Sequence, residues 1–237
     1  MNHIVEQVRQ SLSAKIDPKA LASSDRFFKQ GEQAKVHGVR MADVGKIAKE
    51  SLKQLKQNAK QEIFELCEEL WKSGYLEESV VACIWAESQH KQFEPADFKV
   101  FEHWVHNYLK NWADCDTLCN HTIGTFVMMY PEYIASLKKW AHDPQRFVRR
   151  ASAVSLIIPA RKGLFRNDIF EIADILLSDG DDLVQKGYGW MLKAASEAYP
   201  QEVFDYVLSK KTIMPRTALR YAIEKMPVGM KAEAMKK

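Results

Sequence analysis

Apolar residues recur at intervals of three and four along nearly the whole chain, in segments of about 10 to 18 residues parted by short Gly, Pro, Asp or Asn breaks. That spacing places apolar side chains on one face of an α-helix, so the pattern predicts an array of amphipathic helices and almost no sheet. The segments fall near 3–14, 18–30, 41–58, 60–73, 76–89, 95–110, 113–128, 131–141, 144–158, 166–178, 181–198, 200–209 and 215–226. Asp17-Pro18, Glu94-Pro95, Tyr130-Pro131, Asp143-Pro144 and Tyr199-Pro200 each put proline at an expected first turn, where no backbone N–H is needed. Tyr130-Pro131-Glu132 ahead of Tyr133-Ile134 is echoed by Tyr199-Pro200-Gln201 ahead of Val203-Phe204, about 70 residues on, or two units of roughly 35. The expected fold is therefore all-α, a HEAT-like helical-repeat solenoid (an α–α superhelix) with a concave binding face, in one domain over residues 1–237. A non-repeating helical bundle is the competing architecture.

Composition narrows the function classes. The 46% hydrophobic content supports a continuous core, and only 10 Gly and 8 Pro in 237 residues agree with helices rather than strands and turns. No stretch approaches the roughly 20 apolar residues of a membrane span. Residues 1–10 lack a basic region followed by an apolar run, so a cytoplasmic location is expected. Cys67, Cys83, Cys115 and Cys119 are then expected as reduced thiols. The spacing Cys115-x3-Cys119-x-His121 matches no closed zinc site, and no metal is expected.

The net charge of +3 is small, but it is segregated: residues 1–60 carry 12 Lys/Arg against 6 Asp/Glu, residues 61–105 carry 3 against 10, and residues 106–237 carry 19 against 15. One basic and one acidic side would orient the molecule toward a polyanion, although ordinary solvated helix faces explain the counts as well. Lys46, Lys49, Lys53, Lys56 and Lys60 alternate steps of three and four, either a solvated face or a stripe that follows a phosphate backbone.

Three short stretches carry candidate chemistry. In Asn111-Trp112-Ala113-Asp114-Cys115-Asp116, Trp112 and Asp116 stand four apart and share a helix face, a flat aromatic beside a carboxylate that together attract a cation. Asp114 points elsewhere and sits near the helix start, where it is expected to cap first-turn amides. Arg146, Arg149 and Arg150 occupy one turn ahead of an apolar run and suit an anion, or else surface ion pairs. In the third, Lys186, Trp190 and Lys193 line one stripe flanked by Gly187 and Gly189, where a neighbouring helix or a ligand approaches closely. No phosphate loop, nucleophile elbow, H-E-x-x-H or dinucleotide fingerprint competes with these.

Taken in order, these segments resemble those of the AlkD-like DNA alkylation repair glycosylases, the HEAT-like repeat branch of DNA glycosylases, and the likeness runs through most of the chain. Val36-His37-Gly38-Val39-Arg40 with Ile47-Ala48-Lys49-Glu50 resembles the family's helix-start motif, Trp112-x-x-x-Asp116 its W-x-x-x-D, and Arg150-Ala151 its R-A. Gln185-Lys186-x-x-Gly189-Trp190-x-Leu192-Lys193 resembles its most specific motif, Q-K-x-x-G-W-x-L-[RK]. The resemblance implies a concave DNA-binding face and hydrolysis of the N-glycosidic bond of cationic N3- or N7-alkylated purines in double-stranded DNA. It places the catalytic cleft on Trp112, Asp116 and Trp190 and a backbone contact on Arg150. Arg149, Lys186, Lys193 and Arg40 are the further DNA-binding candidates. A monomer is expected, with no cofactor, nucleotide or membrane partner. Arg40 stands where the pattern has Gln, Ala113 where it has an acidic or aromatic residue, and Phe27 where it has Tyr. The alternative is a non-catalytic helical-repeat member that binds DNA or protein.

Overall fold

A computed structural model describes residues 3–24, 28, 32 and 34–236. Phe27 and the end of the segment expected at 18–30 lie outside them. Among the described residues the fold is all-α, and strand-like pairing is limited to two isolated bridges, Ile16 with Val39 and Lys35 with Tyr75. No helix there is long and apolar enough to cross a membrane.

The chain gathers into two compact units, residues 1–118 and 119–237. The first holds α1 (His3–Ser13), α2 (Pro18–Ser24), α3 (Met41–Gln54), α4 (Lys60–Ser73), α5 (Leu76–Ser88), α6 (Phe98–Tyr108) and α7 (Trp112–Thr117). Here α1, α3, α5 and α7 pack in succession while α4 pairs with α5 and meets α6. Contacts between alternate helices are the stacking expected of paired-helix repeats. Trp85, Trp104, Phe64 and Phe101 fill the core, with Phe64 set edge-on to Phe101 and Trp104 at 5.6 and 5.8 Å.

The second unit holds α8 (Gly124–Met129), α9 (Ile134–Trp140), α10 (Arg146–Val154), α11 (Ile157–Arg161), α12 (Arg166–Ile175), α13 (Asp182–Ala195), α14 (Pro200–Lys210), α15 (Arg216–Ala222) and α16 (Val228–Met235). Its centre is α13, which packs on α10, α11 and α15 and buries Tyr188 completely.

Helices expected as single segments break at identifiable residues. The 113–128 segment is α7, a π-helical turn over Leu118–Ile123, and α8. The 144–158 segment ends at Val154 because Pro159 has no N–H for the Ser155 carbonyl four residues back. Gly124 approaches that same carbonyl so closely that a Cβ there would lie 2.9 Å from it. Helix α16 lies beyond the last expected segment, since Ala234 is its one buried residue and leaves little apolar periodicity to read.

Two helical glycines make opposite predictions. A Cβ on Gly189 would lie 2.7 Å from Tyr221 Cβ and 2.8 Å from the Ala218 carbonyl, so the small residue exists for the α13–α15 contact. Gly45, inside α3, has nothing within 4 Å of its would-be Cβ. Gly189→Ala is expected to destabilise by about 1–3 kcal/mol through overpacking, and Gly45→Ala to stabilise by about 0.5–1 kcal/mol through backbone propensity. Urea unfolding of the two variants beside the parent checks both signs.

Candidate active site

Helix α7 begins at Trp112 because Asn111 caps it: the Asn111 side-chain oxygen accepts the Asp114 amide at 2.9 Å. One helical turn then brings Trp112, Ala113, Asp116 and Thr117 to the wall of a cavity of about 400 Å³ within the first unit. The opposite walls are Phe28, the segment Val36–Met41 without His37, and the start of α5 at Leu76, Glu77 and Val80. The lining is mostly apolar with a few polar groups, the usual constitution of a small-molecule subsite. Phe28 sits 6.2 Å from Trp112, ring to ring, tilted by 36°.

The 37–39 wall is built by a residue that the sequence pattern does not single out. Glu77, in the first turn of α5, is 1% exposed and accepts the backbone amides of His37 at 2.9 Å, Gly38 at 2.8 Å and Val39 at 3.0 Å. Gly38 has φ +84°, and a Cβ on it would meet Leu21 Cβ at 2.7 Å, so both its conformation and its space require glycine. Glu78, equally buried, accepts Arg9 Nε at 3.0 Å and pairs with His37 Nε2 at 3.1 Å, while the His37 ring stacks on Tyr75 at 3.9 Å.

Arg40 stands at the rim. Its Nε donates to Asp17 at 2.7 Å, yet its side chain remains 67% exposed. The Lys19 amide and the Arg40 guanidinium hold the Asp17 carboxyl below the usual carboxylate range.

Asp114, expected as a cap, is instead the capped residue and is buried. Its carboxyl lies against Asn111 Nδ2 at 2.6 Å and in a short hydrogen bond with Ser79 Oγ on α5. Burial pushes it up to about 7, against the opposing bonds from Ser79 and Asn111.

In the second unit, α10 and α13 carry the other candidates. Arg150 is buried, and its Nη1 donates to the Leu183 carbonyl. Gly187 makes room for it, since a Cβ there would lie 3.2 Å from Arg150 Cγ. Arg149 pairs with Asp179 through Nε at 2.6 Å and donates from Nη1 to the carbonyls of Asp143 and Pro144, both at 2.9 Å. Lys186 pairs with Asp182 at 2.8 Å, and Lys193 with Glu224 at 3.0 Å, beside the Tyr221 ring. Trp190 is partly exposed between these two lysines on α13.

The six tryptophans divide. Trp71, Trp85, Trp104 and Trp140 are buried in the core, whereas Trp112 and Trp190 are partly exposed. The two tryptophans singled out by motif are the two that are not fully buried.

The sequence pattern of DNA alkylation repair enzymes matches residues 8–226, nearly the whole chain. The protein belongs to the DNA alkylation repair enzyme family. A predicted DNA alkylation repair enzyme from Enterococcus faecalis has a similar fold at 16% identity, with a TM-score of 0.78, covering 90% of this chain and 98% of the other. No curated protein matches the chain.

In this family member the charge segregation read from the sequence is partly internal. Lys60, counted in the lysine stripe, is only 13% exposed and is held by Asp97 and the Gln92 carbonyl, each at 2.8 Å. Lys46 and Lys53 pair with Asp43 and Glu50 on their own helix. Within the acidic block, Glu77, Glu78 and Asp97 are buried, and Glu68 accepts from Trp104 Nε1 at 2.6 Å and from Tyr108. Much of the block therefore binds internal donors rather than forming an acidic face. The four cysteines are buried thiols, and among the described residues no cluster of three His, Cys, Asp or Glu could hold a metal.

Proposed function

We infer that this alkylation repair protein is a monofunctional DNA glycosylase, hydrolysing the N-glycosidic bond of cationic N3- or N7-alkylated purines in double-stranded DNA. The observation that carries this reading is the placement of Trp112 and Asp116 together on the wall of one apolar cavity. A cationic base is attracted to an indole face. As its bond to C1′ breaks, the bonding electrons leave with the base, which becomes neutral, and positive charge develops on the deoxyribose. A carboxylate held beside that charge stabilises it electrostatically and orients the attacking water; Asp116 has this role. Because the lesion is already cationic, it leaves without a general acid.

Trp190, partly exposed on α13 in the second unit, is by the family resemblance a further aromatic contact proposed for DNA. Of the cations, Arg40 keeps the most accessible guanidinium, and Lys186 holds an ion pair with Asp182 that a phosphate can replace at little cost, since surface pairs contribute about 0–1 kcal/mol. Lys193 is largely covered, with its ammonium on the exposed Glu224. Arg149 and Arg150, DNA contacts by the family resemblance, also hold the 179–183 segment at the start of α13.

The test is direct. The protein incubated with duplex DNA containing 7-methylguanine or 3-methyladenine should release free base and leave an abasic site. DNA binding without release from either lesion would identify a non-catalytic family member.

A further inference from the structure

Asp114 lies two residues from Asp116 on α7 but faces α5, and its hydrogen-bond partners pose a proton-counting problem. Ser79 Oγ lies 2.8 Å from the Leu76 carbonyl and also within a short hydrogen bond of Asp114 Oδ1. A serine hydroxyl has one hydrogen and cannot donate to both. A proton on Asp114 Oδ1 resolves the count: the acid donates to Ser79 Oγ, Ser79 donates to the Leu76 carbonyl, and Asn111 Nδ2 donates to Asp114 Oδ2 at 2.6 Å.

We propose that Asp114 is a neutral, proton-carrying positioning residue that latches α7 to α5 and leaves Asp116 the only charged carboxylate of the catalytic turn. The latch joins two walls of one cavity, since α5 contributes Leu76, Glu77 and Val80 and α7 contributes Trp112 and Asp116. The charged groups on these elements do not neutralise an Asp114 anion. Glu77 is turned to the 37–39 amides, Glu78 to Arg9 and His37, and Asp116 would add like charge. Burial, which pushes the Asp114 carboxyl up to about 7, agrees with the count.

The sign of the pH effect follows from linkage. A carboxyl with a raised folded-state value binds its proton more tightly when native, so its stabilising contribution is complete below about 4 and is lost as pH rises toward 7. Asp114→Asn reproduces the neutral pattern, with an amide N–H donating to Ser79, and lacks that loss. Melting curves of the full chain should therefore show the variant gaining several degrees on the parent between pH 5 and pH 8. A constant deficit of the variant at every pH would mean that Asp114 is ionised in the native state, and would overturn the proposal. Should Asp114→Asn not fold, infrared titration of the parent decides alone: a carboxylic-acid band must persist at pH 6, where ordinary carboxyls are ionised.

The connection to Asp116 rests on the glycosylase reading, and single-turnover base release tests it separately. Release by the parent should fall several-fold from pH 6.5 to 8.5 and be flat for Asp114→Asn. Matching profiles would remove the positioning role. Absence of release from the parent would count against the glycosylase, with the melting and infrared results still judging the Asp114 proton.

Discussion

Asp116→Asn is expected to lower single-turnover release of 7-methylguanine about 10²–10³-fold, the loss typical when one preorganised group facing transition-state charge is removed. Asparagine keeps the size of the side chain and its helical position, so the melting temperature and the affinity for undamaged duplex DNA should stay close to those of the parent. The carboxylate is asked to supply stabilisation only when the sugar becomes cationic, so the effect belongs in the rate of the chemical step and not in ground-state binding. Measuring release with enzyme in excess over lesion isolates that step. A loss below about threefold would show that Asp116 does not face the developing charge. Equal losses of release and of duplex affinity would make it a binding residue instead.

The largest effect on stability is expected at Glu77. Replacing it by alanine strips the acceptor from three backbone amides, of which those of Gly38 and Val39 are in buried bonds. Hydrogen bonds to a charged group contribute about 1.5–3 kcal/mol each and are not additive, so Glu77→Ala should cost about 3–5 kcal/mol in urea unfolding. Glu77→Gln should cost less, because one carbonyl oxygen remains to receive the Gly38 and Val39 amides while its NH₂ faces the His37 amide unfavourably. The ranking Ala worse than Gln, both worse than the parent, is the outcome to check. A shift under 1 kcal/mol for Glu77→Ala would mean that the 37–39 wall holds without it. Because Arg40 follows this segment directly, a loosened wall should also weaken DNA binding at unchanged net charge elsewhere.

Residues of this kind mark where sequence reasoning stops. Periodicity located the helices well: α4 begins and ends where its apolar spacing does, and Pro18 and Pro200 each open a helix as expected. It did not locate the breaks at Ser155 and around Gly124, because a helix interrupted by a proline or a π-turn keeps nearly the same apolar spacing on either side. Glu77 and Glu78 read as ordinary acids in a first helical turn, favoured there by the helix dipole. Their burial against His37, Gly38, Val39 and Arg9 has no local signature. Similarly, Gly187 and Gly189 signalled close approach, but whether a ligand or a helix approached was decided by Arg150 and by α15.

What the sequence determined by itself is local: an all-α chain, the approximate ends of its helices, and the shared face of Trp112 and Asp116, all consequences of the 3.6-residue turn acting over a few neighbours. What only the tertiary structure decided is which polar groups meet water. Asp114 meets Ser79, 35 residues away, and Glu77 meets Gly38, 39 residues away, and each carboxyl takes its character from that distant partner. Burial depends on every element packed around a side chain. Of two aspartates two residues apart, packing alone therefore buries one and leaves the other on the cavity wall.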